Sequence, residues 1–208
     1  METLVQQIEE MKKGEVGKLV RERLGQFKQT YSDPKKVFSE MCFCLLTANS
    51  SAEMGLKVQS SIGHLFFDSS LSELSGALRK LGYRFYNKRA EYILEARMKF
   101  LGIKEMLREF EQEKEAREFL VLNVKGYGYK EASNFLRNIG FMDVAILDRH
   151  IIRVMNENGI IRELPASLNR KKYLRFEKKL EPLCKATGLA QGELDFYLWY
   201  LKTGKVLK

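Results

Sequence analysis

Lys125-Gly126-Tyr127-Gly128-Tyr129-Lys130 places a lysine two residues beyond a Gly-x-Gly turn, and Asp148-Arg149-His150 follows further along the chain. Helical periodicity begins near Tyr129, so Lys130 falls in the first turn of a helix. The positive end of the helix dipole disfavours a cation there and favours Asp or Glu. A lysine amine attacks carbon only when uncharged, and both a helix start and partial burial destabilise the ammonium. A placement that is wrong for an ordinary surface lysine therefore suits a nucleophile that forms a Schiff base. Asp148 supplies the companion group, a carboxylate able to take the lysine's proton or to stabilise positive charge developing at the attacked carbon. Taken singly, Asp148 reads equally as the N-cap of a helix beginning near Arg149. Lys130 taken singly reads as one of 36 basic residues.

These residues need a scaffold to aim them. Residues 116–124 have helical spacing, 125–128 form a tight turn, and a second helix runs from near Tyr129 to about Ile139. Together they make a helix–hairpin–helix over about 116–140. Glycines at 126 and 128 permit positive φ and close approach to a partner. The turn opens onto a helix N-terminus, whose amides can hold a phosphate. Such a device grips the DNA backbone without reading sequence. On this reading Lys125, Gly126, Tyr127 and Gly128 contact phosphate.

Apolar residues also recur at helical spacing in 4–11, 37–46, 71–81, 90–100, 151–155, 173–183 and 194–201. Ser32-Asp33-Pro34 reads as a cap and first turn, and residues 164–167 read as a linker before another cap. Three prolines and no sustained period-2 alternation argue against a sheet. The expectation is an all-α fold of about ten helices in two lobes, with no boundary visible in the composition.

A chain of 208 residues, 45% hydrophobic and 30% charged, has a globular balance. Its apolar runs are too short to span a bilayer, and its first residues carry no signal-peptide pattern. Cys42, Cys44 and Cys184 form no even framework, suit a reducing cytosol and exclude a four-cysteine iron–sulfur loop. With His64 and His150 as its two histidines, the chain offers little to zinc. The net charge of +9 favours a polyanionic partner, usually nucleic acid.

The segment 125–132 followed by Ile146-Leu147-Asp148-Arg149-His150-Ile151 resembles the helix–hairpin–helix DNA glycosylases. Their pattern is a Gly-x-Gly hairpin, a lysine two residues on, and an aspartate after a following loop. Leu45-Leu46-Thr47-Ala48-Asn49-Ser50-Ser51 is similar to the family's helix end and turn near the DNA axis. The stretch from Gly82 to Ala90 is similar to the segment that fills the gap left by an extruded base. The chain end, with Trp199 and a terminal Lys208, resembles the archaeal-type (type 2) 8-oxoguanine DNA glycosylases. The likeness runs from about residue 33 onward. One departure is the Val124-Lys125 that stands where Leu-Pro is usual before the hairpin.

The resemblance implies a DNA glycosylase-like fold and a bifunctional glycosylase/lyase that excises 8-oxoguanine through Lys130, with Asp148 assisting. It implies DNA contacts at Asn49, His150, Tyr83, Arg84 and Phe85, although His150 also reads as an ordinary histidine on a helix surface and the last three as packing and surface residues. Trp199 reads as either core or pocket wall. The terminal main chain at Lys208, with its carboxylate, is expected to recognise the oxidised base beside it. The expected partner is double-stranded DNA containing oxidised guanine, met by a monomer without cofactor or membrane, in the cytoplasm or on a nucleoid. Two other functions stay open at this point: an oxidised-pyrimidine glycosylase/lyase with the same mechanism, and a non-catalytic hairpin module that holds DNA.

Overall fold

The computed structural model describes residues 2–208, and every regular element among them is helical. In chain order these are α1 (Glu2–Lys13), α2 (Glu15–Thr30), α3 (Pro34–Thr47), α4 (Ala52–Ile62), α5 (Leu65–Asp68) and α6 (Leu71–Lys80). They continue as α7 (Tyr86–Met106), α8 (Glu113–Asn123), α9 (Tyr129–Asn138), α10 (Arg149–Glu157), α11 (Arg170–Thr187) and α12 (Gln191–Thr203). Two compact units emerge, one of Thr30–Phe135 and one of Met1–Gln29 with Leu136–Lys208. The two-lobe expectation thus acquires boundaries, and they lie inside helices α2 and α9 or beside them, where composition does not change.

In the unit of Thr30–Phe135, α3 is the central post. Asp33 caps it by accepting from the amides of Lys35 and Lys36, and Pro34 sits at its first turn, as the sequence leads one to expect. Val37, Met41, Cys42, Phe43, Leu45 and Leu46 are all buried. Each such large apolar side chain contributes about 1.5–3 kcal/mol on leaving water. α4 and α7 pack against this post. A Cβ at Gly55 of α4 would stand 2.9 Å from the Phe43 ring, so that crossing is too close for a side chain.

The unit of Met1–Gln29 and Leu136–Lys208 gathers α1, α10, α11 and α12 around Leu4, Ile8, Met155, Leu183 and Leu194. Its polar centre is Arg137, paired with Asp195, with its guanidinium 4.4 Å from the centroid of the Phe196 ring. Removing one partner of such a buried pair costs about 3–5 kcal/mol, because the other charge stays inside alone.

The expectation of about ten helices falls short of the twelve observed among the described residues. α2 buries Val20 and Phe27 but leaves Leu19 exposed. α4 buries Gly55 and Val58 alone, and α5 has four residues. None of the three presents enough apolar repeats to stand out from the sequence.

Candidate active site

The hairpin forms as expected, with α8 ending at Asn123 and α9 opening at Tyr129. Its approach is fixed without a proline. Val124 is buried, its amide donates to Leu120, and its carbonyl accepts from the Tyr127 amide at 3.0 Å.

The two glycines turn out to differ. Gly126 has φ +96°, and a Cβ there would lie 2.5 Å from the Tyr92 ring, so both conformation and space demand glycine. Gly128 is not among the positive-φ residues, and a Cβ there would meet the Glu131 carboxylate at 3.1 Å. The expectation of left-handed freedom at both glycines is thereby corrected for Gly128.

The amides of Lys125 and Gly126 donate to no acceptor among the described residues. That leaves donors for an anion at the turn. The Gly128 amide instead donates to Glu131 Oε2 at 3.2 Å. Lys125 is exposed and lies 3.3 Å from a Glu95 carboxylate oxygen. Lys99 and then Lys125 hold the Glu95 carboxyl below its usual range through hydrogen bonds. Tyr127 is 7% exposed, and its hydroxyl donates to the Met41 carbonyl at 3.0 Å. Its side chain belongs to the core, which leaves the backbone at Tyr127 for the contact expected there. Burial pushes the Tyr127 phenol well above its ordinary range.

Lys130 occupies the first turn of α9, with a side chain 28% exposed and its ammonium 3.1 Å from Glu131 Oε1. Glu131 lies within the segment 125–132, and the sequence reading gives it no role of its own. The capping signature, an acid three residues after the turn residue, could have found it.

Asp148 is the N-cap of α10. Its Oδ1 accepts from the amides of His150 at 2.7 Å and Ile151 at 2.9 Å. Among the described residues nothing hydrogen-bonds to Oδ2, so the cap engages one oxygen and leaves the other available. The His150 ring meets the Trp199 ring edge-on at 6.0 Å, and its Nε2 accepts from Arg149 at 3.3 Å. The same unit thus brings Asp148, His150 and Trp199 into one neighbourhood. Trp199 is half-buried on α12, and Lys208, also half-buried, lies in the irregular segment after it.

Asn49 is exposed with φ +58°, ending α3 in a left-handed turn that asparagine tolerates. Tyr83 is 2% exposed, and its hydroxyl donates to the Leu46 carbonyl at 2.6 Å. Its ring is thus a packing side chain in the free protein, one of the two readings that the sequence leaves for it. Arg89, absent from the expected site, donates to the Ala48 carbonyl at 2.6 Å. Together they tie the last carbonyls of α3 to the start of α7. Arg84 remains exposed, its guanidinium 4.9 Å from the centroid of the half-buried Phe85 ring.

The model of the 8-oxoguanine DNA glycosylase family matches residues 20–189. The chain is 50% identical over 206 residues to the 8-oxoguanine DNA glycosylase/AP lyase of Methanocaldococcus jannaschii, covering 99% of each protein. It is 46% identical to the protein of the same description from Korarchaeum cryptofilum, covering 100% of this chain and 99% of that one. The crystal structure of the Methanocaldococcus jannaschii 8-oxoguanine glycosylase/lyase in complex with a 15mer DNA containing 8-oxoguanine is similar with a TM-score of 0.94. It is 48% identical and covers 99% of this chain and 100% of that one. The 8-oxoguanine DNA glycosylase of Thermotoga maritima is similar with a TM-score of 0.91 and 42% identity, covering 100% and 99%.

Proposed function

The chain belongs to the 8-oxoguanine DNA glycosylase family, and from that premise we propose how its own residues carry out the reaction. It removes 8-oxoguanine from duplex DNA and cuts the strand at the site left behind. Its place of action is wherever the chromosome lies, which in a prokaryote is the cytoplasm; no helix among the described residues is long and apolar enough to cross a membrane.

A base inside a duplex is out of reach, so the nucleotide must first be extruded into a pocket. Lys125 and the amides of Gly126 and Gly128 hold the backbone by its phosphates, a grip that does not depend on sequence. Neutral Lys130 then bonds through Nζ to C1′ of the sugar as the bond from C1′ to the base breaks, and the base departs with a proton. Asp148 takes the proton that Nζ sheds and stabilises cationic character at the sugar. Opening of the sugar ring gives the imine, which acidifies the C2′ proton. Loss of that proton expels the 3′ phosphate, and water releases the lysine.

The observation that carries these roles is local. Lys130 lies in the first turn of α9 directly behind an anion-ready hairpin, and Asp148 keeps one carboxylate oxygen outside its cap.

Recognition of the lesion rests on one atom. Guanine N7 is an acceptor, and oxidation at C8 makes it a donor. A pocket acceptor therefore gains a bond with the lesion and faces a lone pair in guanine, a difference of about 1–3 kcal/mol. We assign that acceptor to the main chain at Lys208, with Trp199 as the wall of the pocket and Asn49, Arg84 and Phe85 on the DNA outside it.

Duplexes carrying single lesions, incubated with borohydride, test the whole reading. Lys130→Gln should lose base release and the trapped adduct while still binding duplex. An adduct that persists removes Lys130 from the mechanism. Cutting confined to oxidised pyrimidines would move the substrate, and binding without any cutting would leave a hairpin module alone.

A further inference from the structure

In the free chain one carboxylate holds two groups that the reaction needs apart. Adjacent side chains on a helix point in different directions and do not ordinarily meet. Lys130 and Glu131 meet because Glu131 turns back toward the hairpin. Its Oε2 accepts from the Gly128 amide at 3.2 Å, and this leaves Oε1 3.1 Å from the Lys130 ammonium. The Glu131 side chain is 14% exposed, so water competes weakly for either contact.

Resting on the reading of Lys130 as nucleophile and the hairpin as a phosphate grip, we propose that Glu131 is a positioning residue that works as a latch. Without DNA, its carboxylate fills the anion position at the Gly128 amide and keeps the Lys130 side chain folded against it. A DNA phosphate that reaches the hairpin displaces Oε2 and frees the lysine.

The physical ground is competition. A phosphate and a carboxylate side by side repel, and a charge-assisted bond to one N–H is strong for one anion at a time. Both oxygens belong to one rigid planar group, so moving Oε2 off the amide moves Oε1 off the ammonium. The lysine is then freed on the duplex and held back in solution, where small aldehydes would consume it. The same arrangement explains why an acid directly follows the nucleophile: its charge opposes activation when no substrate is present.

Reductive methylation of the free chain with formaldehyde and cyanoborohydride, read at Lys130 by peptide mass spectrometry, tests the latch. The exposed Lys178 serves as the internal reference. In Glu131→Gln the amide oxygen still accepts from Gly128, so the cap stays while the charge goes. Methylation of Lys130 should rise about fivefold, the weight of a partly exposed ion pair, with Lys178 unchanged. Affinity for a lesion-free duplex should tighten about threefold, because no carboxylate competes with phosphate. Glu131→Ala, which removes the cap as well, should lower Tm yet give the same rise in labelling, so lost stability does not hide the answer. Labelling of Lys130 that stays at the wild-type rate in both variants overturns the proposal. The label reads the amine without catalysis, so it stands apart from the cutting assay that tests Lys130 as nucleophile.

Discussion

At the start of α9 the capping carboxylate comes from inside the helix, where Glu131 folds back onto the Gly128 amide. At the start of α10 it comes from the residue before the helix, where Asp148 accepts two amides through one oxygen. Both arrangements satisfy donors that a helix leaves open, and both bring negative charge to the positive end of the dipole. They differ in what remains. Glu131 has its second oxygen on the Lys130 ammonium, whereas Asp148 keeps Oδ2 outside the cap. A carboxylate with both oxygens engaged ties cap and lysine together. A carboxylate capping with one oxygen leaves stability and chemistry separable.

The largest expected effect removes the nucleophile itself. Lys130→Gln should lower single-turnover cutting of an 8-oxoguanine duplex by about four orders of magnitude or more. Its unfolding free energy should hold within about 0.5 kcal/mol, since Glu131 keeps its bond to Gly128. A large fall in Tm would mean that the lysine serves the fold as much as the reaction.

Asp148→Asn sharpens the contrast from the other helix. Asparagine caps about as well as aspartate, so stability should change little while turnover falls by about 10²–10⁴. Asp148→Ala should add a stability loss of about 1 kcal/mol. If Asn and Ala cost the same stability, the claim that cap and chemistry separate at α10 is wrong.

The hairpin immediately before α9 carries two glycines that should fail in different ways. Gly126→Ala combines a positive φ with a Cβ 2.5 Å from Tyr92, and should cost about 3 kcal/mol in chemical denaturation. Gly128→Val meets a movable carboxylate instead, and should leave the fold largely intact. It should weaken binding to damaged and undamaged duplexes alike by about tenfold. Lost activity with unchanged affinity for an uncleavable abasic duplex would refute the phosphate grip.

The smallest effect uses a helix end without a catalytic candidate. Tyr83→Phe deletes the hydroxyl that caps Leu46 of α3 and should cost about 1 kcal/mol of stability with near-normal cutting once the protein is folded. A steep loss of turnover would return Tyr83 to the DNA surface.

The sequence by itself determined what depends on neighbours along the chain. The Gly-x-Gly turn, the helix behind it, Asp33-Pro34 at the start of α3 and Asp148 before Arg149 were all legible, because capping and helical period act over a few residues. It also determined the all-α class, since apolar residues repeat at helical spacing through most of the long elements. The tertiary structure decided the rest. The sequence leaves Tyr83 between packing and DNA contact and sets Tyr127 in a glycine turn, and the carbonyls of Leu46 and Met41 show why both are buried. Arg89 and the Arg137–Asp195 pair join residues far apart in the chain, and no local pattern announces such a partner. Gly126 and Gly128 are alike on paper. Their difference arises from the Tyr92 ring and the Glu131 carboxylate, because a glycine is required only where the folded chain leaves no room, or no permitted angle, for a Cβ.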